Sequence, residues 1–146
     1  MSPTALGLLV ILGPVVGRRL VNRPRLARWL TGASLLPVAV LTIAPADRRL
    51  FERCTVQWSL PTPGRVELMA NVVLFVAPVL FAAVTIRRPV VVLVVASLLS
   101  AGLETLQALV VAIGRSCDTN DWLSNTIGAA IGAILAMGSL HWSRER

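Results

Sequence analysis

The stretch ELMANVVLFVAPVLFAAVTIRRPVVVLVVASLLSAGLETLQALVVAI, residues 67–113, decides the fold of this chain. It consists of two apolar runs that are separated only by the tripeptide Arg-Arg-Pro at residues 87–89. Each run is about 20 residues long, which is the length that an α-helix needs to cross the hydrocarbon core of a bilayer. We therefore predict two neighbouring transmembrane helices, over residues 67–86 and 90–113, that are joined by a tight basic turn.

Three further apolar runs flank this stretch, and the composition fits a chain that has the bilayer as its solvent. Of the 146 residues, 55% are hydrophobic and 14% are charged, and the mean hydropathy is +0.76. The first run is short and contains Gly13 and Pro14, so a re-entrant segment, which would leave four spans, is the alternative. We predict an all-α, polytopic transmembrane helix bundle of about five spans that forms a single domain over residues 1–146. The flanking spans are predicted over residues 3–17, 29–44 and 122–141.

Arginine supplies all of the positive side-chain charge, because the chain has 14 Arg, no Lys and a net charge of +7. The arginines lie in short blocks between the apolar runs, whereas a protein that binds a nucleic-acid duplex needs a continuous basic surface. We therefore expect no nucleic-acid partner. Cytoplasmic loops carry the excess of Arg, and counting Arg on alternate loops predicts a plasma-membrane protein with its amino terminus outside and its carboxyl terminus inside. The extracytoplasmic loops are then residues 45–66 and 114–121.

The two cysteines of the chain fall in these two extracytoplasmic loops. Cys54 lies in the longer loop and Cys117 in the shorter one, so the predicted topology exposes both to an oxidising compartment. A disulfide between them would tie the long loop over the last two spans. The alternative is a pair of free thiols, because the sequence does not give the distance between the two Cα atoms.

Polar side chains within the apolar runs are few, and most are predicted to lie near the outer ends of the last three spans. Such side chains are costly in hydrocarbon and usually face a bundle interior or a wet cavity. They indicate either an outward-facing polar pocket or a set of hydrogen bonds between helices. Gly128 and Gly132 lie on one face of the fifth span and are predicted to allow close helix packing. The candidate ligand-binding residues are Asn71, Glu104, Gln107, Arg115, Asp118, Asp121 and Asn125.

The start of the fifth span has a second predicted role. Asp121 is an acidic residue at a helix start, where it is expected to cap the unpaired backbone amides. Common signatures of soluble enzymes are absent from the sequence, including phosphate-binding glycine loops, a nucleophile elbow and metal-ligand clusters. We therefore expect neither a cofactor nor a metal ion, and the sequence assigns no catalytic residue.

The polar positions of the second half of the chain, taken with their spacing, resemble a known family. Asn71-Val-Val-Leu-Phe-Val-Ala-Pro78 is followed by Glu104-x-x-Gln107 and then by Arg115-x-x-Asp118-x-x-Asp121-x-x-x-Asn125-x-x-Gly128-x-x-x-Gly132. This order, within residues 67–140, is similar to that of the VanZ-like family of small bacterial membrane proteins. Members usually have glycine after the proline of the first motif, where this chain has Val79.

The resemblance implies a role in the cell envelope. The family's namesake is associated with low-level resistance to teicoplanin, a lipid-tailed glycopeptide antibiotic. No catalytic residue is implied, since the chemistry of the family is not established. The Arg-rich, Lys-free composition suggests a GC-rich bacterium, such as an actinobacterium.

Three functions are open at this point. In the first, the outer pocket binds a lipid-linked cell-wall precursor or a lipoglycopeptide among the membrane lipids, with Arg115 pairing with an anionic head group. In the second, the protein is a membrane enzyme that acts on a lipid-linked glycan or phosphate, with Glu104 or Asp121 as general acid or base. In the third, its role is structural, and the glycine face docks a partner helix.

Overall fold

The protein, seen in a computed structural model, is a bundle of five α-helices within the described residues, which are 3–44, 54–62, 64–110 and 114–145. Each of these helices is long and apolar enough to cross a membrane. The prediction of an all-α bundle of five spans is therefore confirmed, and the first segment is a full-length helix. The direction of the bundle across the membrane and the single-domain organisation stay predictions. The helices are α1 (Pro3–Val21), α2 (Pro24–Ile43), α3 (Val66–Ile86), α4 (Pro89–Leu109) and α5 (Thr119–Arg144).

The tight basic turn between α3 and α4 has local causes in the sequence. Arg87 has a left-handed backbone conformation, with φ of 59°, and its N–H donates to the carbonyl of Ala83, 2.9 Å away. Pro89 then starts α4 at a position where a backbone N–H would have no partner within the helix. The chain thus reverses direction over very few residues, as the sequence predicts.

Several helix boundaries differ from the predicted spans. α1 includes Arg18 in its last turn, and α2 and α5 begin before the predicted residues 29 and 122. Long Arg side chains extend toward the head groups while their backbone stays helical, so an apolar run underestimates the length of its helix. α4 differs in the other direction, because it ends at Leu109 rather than at the predicted residue 113.

The centre of the bundle is the contact between α3 and α5, where the two backbones touch. A Cβ atom on Gly128 would lie less than 3.0 Å from the carbonyl oxygen of Val72, and one on Gly132 would also lie less than 3.0 Å from that of Val76. No larger residue fits at these positions unless the helices separate. Small residues at such spacing let transmembrane helices gain dispersion and packing energy at short range. We call this contact the glycine seam.

A second close contact attaches α1 to α5, and the sequence did not point to it. A Cβ on Gly17 would clash with the side chain of Ser139. The Ser139 hydroxyl donates to the carbonyl of Leu135 at 2.8 Å and also lies 3.3 Å from the carbonyl of Pro14. Pro14 lies inside α1 without ending it.

Two short strands connect the loops that were predicted to be extracytoplasmic. β1 (Cys54–Thr55) pairs in parallel with β2 (Cys117–Asp118). A disulfide joins Cys54 to Cys117, whose Cα atoms are 4.5 Å apart, which confirms the predicted bridge. We call residues 54–62 the strap, because they run across the start of α5. The rest of the long loop, apart from residues 64 and 65, lies outside the described residues.

Candidate functional site

The site lies at the end of the bundle where α3 and α5 begin and α4 ends. Asn71 of α3 donates from Nδ2 to Oδ1 of Asp121 of α5, at 2.7 Å. The backbone N–H of Asp118 donates to Oε2 of Glu104 near the end of α4, at 2.8 Å. Four predicted site residues from three helix ends therefore meet here. We call Glu104, Asp118 and Asp121 the carboxylate cluster, and all three are partly buried.

Asp118 caps α5 and also holds the strap in place. Its Oδ1 accepts from the backbone N–H of Asn120, at 2.8 Å, which makes Asp118 the N-cap residue. Its Oδ2 accepts from Nε2 of Gln57, at 2.8 Å. The prediction that Asp121 is the cap is therefore wrong, because α5 begins earlier than predicted. Asp121 lies in the first turn instead, where its charge still meets the positive end of the helix dipole.

The strap follows the first residues of α5 through further hydrogen bonds. The backbone N–H of Gln57 donates to the Thr119 hydroxyl, which in turn donates to the Gln57 carbonyl. The backbone N–H of Ser59 donates to Oδ1 of Asn120, at 2.7 Å. Asn120 is almost fully buried, so this bond fixes the depth of the strap over the bundle. The strap therefore forms the wall of the site on one side.

Negative charge dominates the cluster. Asp121 interacts electrostatically with Asp118, with the exposed Glu67 and with Arg115, and Glu104 interacts with both aspartates. Arg115 is partly buried, and its Nε lies 3.3 Å from the carbonyl of Ala44. Like charges held together away from water repel each other, so this arrangement favours a partner that donates hydrogen bonds or carries positive charge.

Gln107 and Arg115 join the site to the end of α2. The Nε2 of Gln107 donates to the carbonyl of Thr42, at 2.9 Å, just as Arg115 reaches that of Ala44. The last carbonyls of a helix have no partner within it, so these two side chains satisfy backbone groups that would otherwise be unpaired in a membrane. Both predicted site residues thus have a clear packing role.

Asn125 lies below the cluster, between α4 and α5, rather than at its surface. It is only 5% exposed, and its Nδ2 donates to the hydroxyl of Ser100, at 2.9 Å. Its Oδ1 and the hydroxyl of Ser124 are buried without a hydrogen-bond partner among the described residues. A ligand in the site would have to move α4 or the strap to reach this side chain.

Several residues of the site were missed by the sequence reasoning. Gln57 and Asn120 carry no local signal, because their partners are about sixty positions away in the chain. Trp58 and Trp122 form an edge-to-face pair with ring centroids 6.3 Å apart. Tryptophan near a predicted helix end was a signal that could have been used, since it marks the membrane interface. Trp122 also donates from Nε1 to the carbonyl of Ser97, at 3.2 Å.

The chemistry available here is that of hydrogen-bond acceptors held at the end of a membrane bundle. Three carboxylates, backed by helix ends and the strap, can accept hydrogen bonds from hydroxyl, amide or ammonium groups. Within residues 3–44, 54–62, 64–110 and 114–145, no three His, Cys, Asp or Glu side chains converge in a way that could hold a metal ion. The geometry supports polar recognition and identifies no catalytic pair.

Comparison with known protein families identifies a match. The family described as VanZ/LLP1 matches residues 6–141, which extends the likeness seen in the second half through α1 and α2. Neither a curated protein nor a solved structure gives a significant match. With a match over nearly its whole length and five helices suited to a membrane, the chain belongs to the VanZ/LLP1 family of membrane proteins.

Proposed function

We propose that the protein binds the head group of an amphiphilic cell-envelope molecule at the carboxylate cluster, at the outer face of the plasma membrane. The ligand classes are a lipid-linked cell-wall precursor and a lipoglycopeptide such as teicoplanin. One observation carries the proposal: Glu104 near the end of α4 lies against Asp118 and Asp121 at the start of α5, at one end of the bundle. Like charges near hydrocarbon cost free energy, and helix packing alone does not require them.

The balance of groups favours a head group that is rich in hydrogen-bond donors. Asn71 and the backbone N–H of Asp118 each satisfy one carboxylate oxygen, so further acceptor capacity is left on Glu104 and Asp121. Sugar hydroxyls, peptide amides and ammonium groups can all use it. Arg115 would contribute one cationic contact, for a phosphate or carboxylate on the same ligand. Glycan and peptide head groups contain these donors in both ligand classes.

Trp58 follows Gln57 on the strap and offers an aromatic surface that packs against Trp122 of α5. Its side chain is 63% exposed although the strap on which it lies is tied to α5 by the disulfide and by hydrogen bonds. An exposed indole face attracts an ammonium group through its π system. It also provides apolar area for the less polar face of a head group. This arrangement supports a site that combines charge with a flat hydrophobic surface.

Native mass spectrometry of the detergent-purified protein tests the proposal. We expect the wild type to carry a discrete co-purifying adduct, or to gain one when teicoplanin is added. The isosteric variant Asp121→Asn should reduce adduct occupancy at least tenfold, because a neutral amide loses the charge-assisted contacts. Arg115→Ala should reduce it as well if the ligand carries an anion.

A matched control removes one carboxylate at the other end of the bundle. Glu145 is an exposed residue 3.2 Å from His141 near the end of α5, and Glu145→Gln should leave the adduct unchanged. Adducts that are equal in Asp121→Asn and in the wild type would contradict the proposal. So would the absence of any adduct from the folded wild type in both preparations, which would leave the cluster with a structural role.

A further inference from the structure

The end of the bundle opposite to the carboxylate cluster carries most of the positive charge. α3 and α5 start beside the cluster and α2 and α4 end beside it, so α3 and α5 end, and α2 and α4 start, at the opposite end. Eight of the ten arginines among the described residues lie there. Five of them fall within residues 18–28, two are residues 87 and 88, and one is residue 144. We call this the arginine end.

Almost no negative charge compensates these arginines. Within residues 3–44, 54–62, 64–110 and 114–145, Glu145 is the single acidic residue at the arginine end, and it lies 3.2 Å from His141. The same part of the chain contains no ion pair between an arginine and a carboxylate. All of these arginines except the half-buried Arg18 are exposed. Such a surface attracts an anion from outside the protein.

The helix dipoles make the start of α2 the place where this charge is least compensated. Arg18 and Arg19 lie in the last turn of α1, and Arg144 lies in that of α5, where the negative end of the dipole offsets them. Arg25 lies in the first turn of α2, where the dipole is positive. That turn contains no acidic residue, whereas the first turns of α3 and α5 each contain one.

An open recess at this place is lined by Arg25, Arg28 and Trp29. Residues at this spacing lie on one face of a helix. A guanidinium group can form two parallel hydrogen bonds to the oxygens of a phosphate, and two such groups lie here. Trp29 is 79% exposed, and a tryptophan at the end of a spanning helix lies at the level of the lipid head groups. We call this recess the arginine recess.

A second tryptophan marks the same level of the bundle. Trp142 is 50% exposed near the end of α5. The guanidinium carbon of Arg18 lies 5.7 Å from the centroid of its ring, which is within the range of a cation–π contact. Arg18 therefore joins α1 to α5 at this depth. Aromatic side chains on two separate helices thus place the arginine recess at the membrane interface.

The face of α2 beyond the recess is suited to an acyl chain. Trp29, Gly32, Leu36 and Val40 follow one another at intervals of three or four residues and share one face of the helix. Leu36 and Val40 are 65% and 60% exposed, and nothing lies within 4 Å of a Cβ added to Gly32. A free phosphate would gain nothing from this apolar face, whereas a phospholipid would contact it with its chain.

We propose that the arginine recess binds the phosphate of an anionic phospholipid, such as phosphatidylglycerol, whose acyl chain lies along this face of α2. Clusters of arginine next to spanning helices attract such lipids. Phosphatidylcholine contains the same phosphate, but its ammonium group would bring another positive charge among the arginines. The proposal concerns the opposite end of the bundle from the carboxylate cluster. It therefore goes beyond the proposed function and depends neither on it nor on the direction of the bundle across the membrane.

Native mass spectrometry with added lipid tests the proposal. The detergent-purified protein is titrated with dioleoyl phosphatidylglycerol and, separately, with dioleoyl phosphatidylcholine, which differ only in their head groups. We expect the wild type to bind phosphatidylglycerol at least about fivefold more tightly, because guanidinium groups form charge-assisted hydrogen bonds with its phosphate. The double variant Arg25→Gln/Arg28→Gln should lose at least about fivefold in affinity for phosphatidylglycerol and should bind phosphatidylcholine as the wild type does.

A matched double variant removes the same charge elsewhere at the arginine end. Arg87→Gln/Arg88→Gln replaces two exposed arginines in the turn between α3 and α4, and its affinity for phosphatidylglycerol should fall by less than about twofold because salt screens distant charges. Circular dichroism verifies that each variant is folded. Equal losses in the two double variants would show diffuse attraction and overturn the recess. Equal affinities of the wild type for the two lipids would overturn it as well.

Two further measurements identify the source of the phosphate and the end of the bundle that binds it. Inorganic phosphate in large molar excess should not displace phosphatidylglycerol, and displacement would overturn the assignment to a membrane lipid. Asp121→Asn, at the opposite end, should leave the affinity for phosphatidylglycerol unchanged. A loss as large as that of Arg25→Gln/Arg28→Gln would place the lipid at the carboxylate cluster and overturn the proposal.

Discussion

The centre of this bundle, formed by α3 and α5, and its flank, formed by α2 and α4, are built in different ways. In the most apolar windows of α3 and α5, 56% of the residues are buried inside the protein, against 11% in those of α2 and α4. α3 and α5 meet backbone to backbone at the glycine seam, whereas α2 and α4 leave an apolar gap between them. Lipid tails are as apolar as leucine, so burial of apolar surface does not draw helices together in a membrane. Close packing and hydrogen bonds hold the centre, and the flank is free to face lipid.

The largest expected effect comes from separating the two central helices. Gly128→Leu should lower the free energy of unfolding by about 3 kcal/mol, because the added side chain meets the backbone carbonyl of Val72, which cannot move aside. Unfolding in a series of detergent mixtures, followed by circular dichroism, measures it. Gly102→Leu is the matched control on α4, where nothing lies within 4 Å of an added Cβ. Equal loss in the two variants would remove the distinction between centre and flank.

Removal of the disulfide is expected to have the next largest effect. The double variant Cys54→Ser/Cys117→Ser should lower the free energy of unfolding by about 2 kcal/mol, the lower end of the usual range because membrane helices already confine the unfolded chain. The strap should also become sensitive to protease, since only hydrogen bonds and the contact between Trp58 and Trp122 would then hold it to α5. Limited proteolysis of the variant and of the wild type treated with dithiothreitol should agree. A strap that resists protease in both would show that the bridge is dispensable.

Substitution of Asp118, the N-cap of α5, is expected to have a smaller effect. It tests the end of α5 at which the candidate site lies. Asp118→Ala should cost about 1 kcal/mol, because the backbone N–H of Asn120 loses its acceptor. Asp118→Asn should cost only about 0.3 kcal/mol, since asparagine caps a helix nearly as well. Thermal unfolding of both variants provides the measurement. A cost as large for asparagine as for alanine would mean that the charge of Asp118, rather than the cap, stabilises the fold.

The smallest effect on stability is expected from Glu104→Gln. The amide oxygen can still accept from the backbone N–H of Asp118, so the free energy of unfolding should change by less than about 0.5 kcal/mol. Occupancy of the adduct should nevertheless fall, because a charged acceptor is replaced by a neutral one. The pair of readouts separates three roles. An enzyme would lose its turnover entirely, a binding site would be weakened, and a packing residue would change neither adduct nor activity.

Much of the fold could be predicted from the sequence, because the length of an apolar run is set directly by the thickness of the bilayer. The five helices follow from that one constraint. Their ends do not, since Arg18 in α1 and Arg144 in α5 are helical although they are charged. The disulfide that ties the long loop to the end of the bundle was predicted, but the strand pairing of the strap could not be. Its two-residue strand has no pattern of its own and is fixed by a partner strand far along the chain.

The candidate site, too, could be predicted from the sequence only in part. The meeting of Asn71, Glu104 and Asp121 could be predicted, because alternating spans place the start of α3, the end of α4 and the start of α5 at one end of the bundle. The depth of each side chain could not. Asn125 is buried under the cluster and Gln107 is occupied by α2, and both placements depend on the rotation and tilt of packed helices, which periodicity alone does not give.

The disulfide between Cys54 and Cys117 also bears on how the protein is inserted. The cysteines are 63 positions apart, and the segment between them contains α3 and α4. If the two loops are extracytoplasmic, as the Arg distribution predicts, the bond forms only after both helices have crossed and both loops have reached an oxidising compartment. On a non-reducing gel, the oxidised band would then count the molecules that have completed insertion in the predicted direction. The fraction of chains with this disulfide would thus measure the progress of membrane insertion during synthesis, without any added reporter.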